Sequence, residues 1–140
     1  MTRLHLASRF SFPHFLYYVL TSSLQVRRSD GFLGGWLGSD PESGYWTVTV
    51  WSSADEMRAY RNSAAHLRSM PKLMHWCDEA SFGHFEQPGD AVPEPAAAYE
   101  HLRQHGMLSK VAAPSSCQQH GTTVGAAPPQ RGQILKPRSA

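Results

Sequence analysis

Residues 1–87 are predicted to form an α+β domain of strand, helix, strand, strand, helix, strand order. Three observations predict it. Short alternating or β-branched runs stand at both ends and in the middle, stretches of helical apolar spacing separate them, and the composition changes near residue 87. All six Phe and all four Trp lie before that point, and seven of the ten Pro lie after it. A segment with few large apolar side chains cannot offset its ordering entropy. Residues 88–140 are therefore expected to be a Pro/Ala/Gly/Ser-rich tail, mostly disordered, with one short helix over 96–106.

The first strand is Thr2 to Ser8, where Leu4 and Leu6 alternate with polar neighbours. Ser11 offers an N-cap, with Pro13 in the first turn where its missing N–H costs nothing. Phe12, Phe15, Leu16, Val19 and Leu20 then fall at helical spacing as far as Leu24, and Asp30-Gly31 marks the end of this helix or its following loop. Phe32–Leu37 reads as a strand apolar on both faces, with Gly34-Gly35 allowing close approach of a backbone or ligand. Residues 39–44 are dense in turn formers, and Tyr45–Trp51 is the clearest strand, aromatic and β-branched. Ser53 and Glu56 make a capping box for a second helix carrying Met57, Tyr60, Ala64 and Leu67 on one stripe. Pro71 is expected to break or kink that helix near Met70, with a short helical turn over 72–77 after it. Ser81–Glu86 is the expected last strand.

Four strands and two helices in this order predict a ferredoxin-like four-stranded antiparallel sheet with both helices on one face. The two-sided apolarity of Phe32–Leu37 and Tyr45–Trp51 leaves the other face in need of cover. A second copy, pairing sheet to sheet as a homodimer, is the expected cover.

Composition excludes several classes. Net charge is +2 and the longest basic run is Arg27-Arg28, too little for a nucleic-acid stripe. Apolar runs stop well short of the ~20 residues of a membrane span, so neither nucleic acid nor a membrane is an expected partner. Phe10–Leu20 is interrupted by Pro13 and His14 and reads as a core helix rather than a leader. Cys77 and Cys117 are isolated thiols, for which a reducing cytoplasm is the default. No phosphate loop, dinucleotide fingerprint or nucleophile elbow occurs, and no metal site is expected. His75 with Cys77 lacks a second ligand pair, and His5 and His84 are not expected to be neighbours.

The run Thr47–Leu73, with Val50-Trp51, Ser53, Tyr60 and Ser63-Ala64-Ala65-His66, resembles the dimeric α+β barrel superfamily. The likeness is to its antibiotic-biosynthesis-monooxygenase-like domains, whose second strand Gly31–Gly35 also fits. It covers residues 1–87. It implies a dimeric barrel and, in some members, oxidation of polycyclic phenols by oxygen without metal or flavin. In a haem-degrading branch, the positions of the iron-ligating His and of a helix Trp fall on Met70 and Tyr60. That counts against haem, although a Met can approach iron.

On this basis His66 and Tyr60 are the expected catalytic residues, His66 moving a proton near neutral pH and Tyr60 orienting substrate. Trp36, Trp51, Met57 and Met70 are the expected substrate-binding residues, the indoles stacking on a flat apolar molecule. The expected function is a cofactor-independent monooxygenase, or alternatively a non-catalytic module binding a small hydrophobic molecule or haem.

Overall fold

The computed structural model describes residues 1–138. Its elements are β1 (Thr2–Leu6), one 3₁₀ turn (Arg9–Ser11), α1 (Phe12–Val26), β2 (Phe32–Ser39), β3 (Tyr45–Trp51), α2 (Ala54–Arg61), α3 (Ala64–Trp76) and β4 (Cys77–Phe82). They continue with α4 (Pro95–His105), β5 (Met107–Leu108), α5 (Ser116–Gln119) and β6 (Gln130–Leu135). The fold is α+β, a single six-stranded sheet in the order β5-β4-β1-β3-β2-β6 with every neighbouring pair antiparallel.

This corrects the expected four-stranded ferredoxin-like sheet and the dimeric barrel drawn from it. The two extra strands come from the segment expected to be a disordered tail, whose last two residues, 139–140, lie outside the described residues. β6 pairs with β2 from Gly35↔Leu135 to Ser39↔Gln130, and β5 pairs with β4 at Ser81↔Leu108 and Phe82↔Met107. Leu135 is buried against Val26 of α1 and Phe32 of β2.

The same segment closes the sheet's second face. Ala98 and Leu102 of α4, both 0% exposed, pack with Val124 on Trp36, Trp46 and Val48. Full burial of a Leu contributes about 1.5–3 kcal/mol. Large apolar residues are scarce after residue 87, but α4 needs few. Pro95 opens it, the small Ala98 lets it approach closely, and the sheet's own tryptophans supply the bulk. The uncovered face that called for a second copy is thus taken by the chain itself.

α1 and α3 lie together on the opposite face, Tyr18 and His14 against the Trp76 ring at 5.7 and 6.1 Å. The second helical region breaks earlier than expected. α3 runs through Pro71 to Trp76, and the interruption falls at Asn62-Ser63 instead. Gln25 of α1 satisfies the groups freed there: its Nε2 donates to the carbonyls of Tyr60 and Ser63, and its Oε1 accepts from the His66 N–H. Ser53 caps α2 as expected, its Oγ accepting from the Glu56 N–H at 3.2 Å. β4 begins four residues earlier than expected, directly after α3.

Candidate functional site

A cleft of about 220 Å³ is lined by His5, Leu6, Arg9, Phe12, Ser43 and Tyr45. Local sequence explains each wall. The ladder between β1 and β4 shifts register between His5 and Leu6, which re-aims the end of β1. Ser8 then caps the 3₁₀ turn, accepting from the Phe10 N–H, and so presents Arg9. Pro13 starts α1 immediately, leaving Phe12 at the rim and Phe15 against the Tyr45 ring at 5.0 Å. Across the cleft, Asp40 Oδ1 accepts from the N–H groups of Glu42 and Gly44 at 3.1 and 2.8 Å, folding the β2–β3 turn that carries Ser43 and Tyr45.

The chemistry of the cleft centres on His5. Its Nδ1 lies 2.6 Å from Asp78 Oδ1, and both side chains are partly exposed. A neutral imidazole donates from Nδ1 to that carboxylate, which leaves the Nε2 lone pair as acceptor. An oriented imidazole, a cation from Arg9 and a wall of Leu6, Phe12 and Tyr45 form a small amphiphilic site able to receive a proton from a flat, weakly acidic molecule.

Behind His5 lies a buried ion network. Arg3 Nε donates to Asp40 Oδ2 and its NH1 to Glu79 Oε2, each at 2.6 Å, with the Arg3 side chain 3% exposed. Burial opposes all three charges, but the hydrogen bonds outweigh it. Arg3 is raised by Asp40 and Glu79, while both carboxyls are held below their ordinary values by Arg3, with help from Trp46 and Gly44 at Asp40 and from Ser115 at Glu79. The network fixes the β2–β3 turn to β1 and β4, and hence the two sides of the cleft to one another.

The residues expected from sequence sit elsewhere, in two places. Trp51, Tyr60 and His66 form a chain of rings, 5.1 Å from Trp51 to Tyr60 and 4.8 Å from Tyr60 to His66, on the α1/α3 face. The Tyr60 hydroxyl donates to the Ser22 carbonyl at 3.4 Å, and burial pushes its pKa well up. Burial lowers the His66 pKa, with Nδ1 3.1 Å from the Arg61 carbonyl. Trp51 and Tyr60 also pack against the Val26, Phe32 and Leu135 cluster. Trp36 is on the opposite face, fully buried, its indole N–H donating to the Pro93 carbonyl at 2.8 Å. Trp36 and Trp51 therefore do not wall one pocket. Met57 is partly buried on α2, and Met70 on α3 is 43% exposed. Haem does not fit these residues: His66 and Met70 stand one turn apart on α3, and neither lines this cleft.

The cleft is not legible in the sequence because its lining comes from two distant stretches, 5–12 and 43–45, with Asp78 from a third, and no spacing links them. The one available signal was His5 between Leu4 and Leu6, on a strand whose partner carries Asp78-Glu79. Among the described residues, no group of three or more His, Cys, Asp or Glu side chains converges as a metal site, and no helix is long and apolar enough to cross a membrane.

No family model matches this chain, nor does any curated protein or solved structure. Any functional reading therefore rests on the geometry of the cleft.

Proposed function

We propose that the protein binds a small, flat molecule with a weakly acidic hydroxyl, a one- or two-ring phenol, in the His5 cleft, and that His5 takes its proton. The observation that carries this is the 2.6 Å His5–Asp78 pair on the wall of an aromatic-lined cleft. About 220 Å³ lies below the ~300–1,000 Å³ of sites for drug-sized ligands, which limits the ring count. Arg9 answers the oxyanion that deprotonation leaves, while Phe12 and Tyr45 face the ring.

The reaction that follows such a deprotonation is oxidation by dioxygen without a cofactor. The phenolate supplies the electrons. A ring C–H and the O–H are exchanged for two carbonyls, giving a quinone, and dioxygen delivers one oxygen to the product and one to water. The protein's part is binding, deprotonation and partial shielding from solvent. Homodimerisation plays no part in the proposal, because α4 takes the face that suggested it. Two free thiols, Cys77 and Cys117, are in keeping with a cytoplasmic setting.

A second reading, a binding module without chemistry, is favoured by the partial exposure of His5 and Asp78, 30% and 22%, since water reaches both. Oxygen consumption separates the two. With 1- and 2-naphthol, the monooxygenase reading expects uptake that falls about 10²–10⁴-fold in His5→Gln, the usual worth of a positioned base. Saturable binding with no oxygen uptake supports the binding module instead. Neither binding nor uptake across one- and two-ring phenols removes both readings.

A further inference from the structure

Three arginines meet at the far end of α1. Arg27, Arg28 and Arg138 line, with Leu24, a second cleft of about 160 Å³ whose walls carry no carboxylate. The arrangement is built rather than incidental. Arg138 is brought there across more than a hundred residues by a backbone bond, its N–H donating to the Arg27 carbonyl at 2.8 Å. Arg27 Nε donates in turn to the Lys136 carbonyl at 3.1 Å. Among the described residues none of the three arginines makes a salt bridge, which holds also of Arg9, Arg61 and Arg68 but not of Arg3, Arg58, Arg103 and Arg131. Two arginines after a helix suit its negative end. That does not account for the third, which adds like-charge repulsion that no salt bridge among the described residues offsets.

The cleft continues into an apolar stripe. Leu16, Leu20 and Leu24 repeat every four residues along α1 and are 40%, 51% and 54% exposed, with Tyr17 beside them at 61%. Residues 1–29 contain no Asp or Glu, and Arg9 stands at the other end of the helix. A second copy is a poor occupant, because two such faces would set arginines against arginines. A duplex nucleic acid would satisfy the arginines and leave the leucines in water. An anionic bilayer surface satisfies both, its phosphates at the arginines and its acyl boundary at the leucines.

We propose that the outer face of α1 is a membrane-surface site, with Arg27, Arg28 and Arg138 holding the phosphate of an anionic phospholipid and Leu16, Leu20 and Leu24 entering the interface. This revises the expectation that membranes play no part, which rested only on the lack of a spanning run. It does not depend on the His5 cleft.

The test is co-sedimentation of the full chain with phosphatidylcholine vesicles, with and without phosphatidylglycerol. Binding is expected only to the anionic vesicles. It should weaken about 25-fold in Arg27→Gln/Arg28→Gln, at about fivefold per arginine, and about tenfold in Leu20→Ser, as a buried leucine is lost. All these side chains are exposed, and an unchanged thermal melt confirms that each variant folds. Equal binding to neutral vesicles, binding untouched by the arginine changes, or failure to bind any vesicle overturns the proposal. So does affinity for inorganic phosphate or duplex DNA without affinity for vesicles.

Discussion

Arg3 Nε and Asp40 Oδ2 stand 2.6 Å apart with side-chain exposures of 3% and 0%. The pair joins the first strand to the β2–β3 turn, and the same Asp40 oxygen also accepts from the Trp46 indole at 2.9 Å. Removing one member of a buried pair costs about 3–5 kcal/mol, because the other charge remains uncompensated. Arg3→Met should lose that much in urea unfolding at pH 7. The pH dependence carries a sign. Asp40 and Glu79 titrate lower in the fold than their ordinary 3.8 and 4.5. Their stabilisation is therefore complete above about pH 4.5 and lost as pH falls through the folded values. In Arg3→Met the carboxyls lose their partner, and mild acid should recover part of the lost stability.

Leu102 is the keystone of the face closed by α4. Leu102→Ala should cost about 2–5 kcal/mol, the range for a buried Leu whose site cannot collapse. A chain ending at residue 87 bares Trp36, Trp46 and Val48 together, and it should self-associate or fail to fold. A stable monomer of residues 1–87 by native mass spectrometry would show that α4 is dispensable.

His66 makes a separable contribution of opposite physical origin. Burial, the largest influence, lowers its folded pKa from the ordinary 6.5. Below about pH 6.5 the unfolded chain binds the proton and the fold does not, so stability drops as pH falls from there to the folded value. His66→Gln should flatten the stability profile just below pH 6.5 while leaving the acid limb of Asp40 and Glu79 intact.

The two thiols should behave differently. Cys77 is 1% exposed, and burial together with Asp78 pushes it up to about 12, whereas Cys117 is exposed. Iodoacetamide should alkylate Cys117 alone in the native protein and both thiols in urea, read as intact mass.

Much of the first 82 residues was legible. Tyr45–Trp51 reads as a strand from its β-branched alternation, and Ser53 caps α2 because Ser followed by Glu three residues on satisfies the exposed N–H groups. The break at Asn62-Ser63 was not legible, since Gln25, which stabilises it, lies 38 residues from Ser63. Pro71 looked like the breaker, yet it loses one hydrogen bond inside a helix held by its packing on α1. The helix α4 was legible, but its packing on the sheet and the strand β6 were not, for a related reason. Ala98, Leu102 and Leu135 are too few to build a core alone, and enough when Trp36, Trp46, Val26 and Phe32 provide the opposite wall. As for the site, Tyr60, His66 and Trp51 do come together, but as packing. His5, Arg9, Ser43 and Asp78 carry no motif, and only the tertiary fold gathers them.

The proposed function makes His5, held by Asp78, the working imidazole in place of His66. The most direct measurement is isothermal titration of 2-naphthol into the parent protein, His5→Gln, Asp78→Asn and His66→Gln. Saturable binding is expected in the parent and in His66→Gln, lost in His5→Gln and weakened in Asp78→Asn. Binding that survives His5→Gln and disappears in His66→Gln would contradict it and return the site to the helical face.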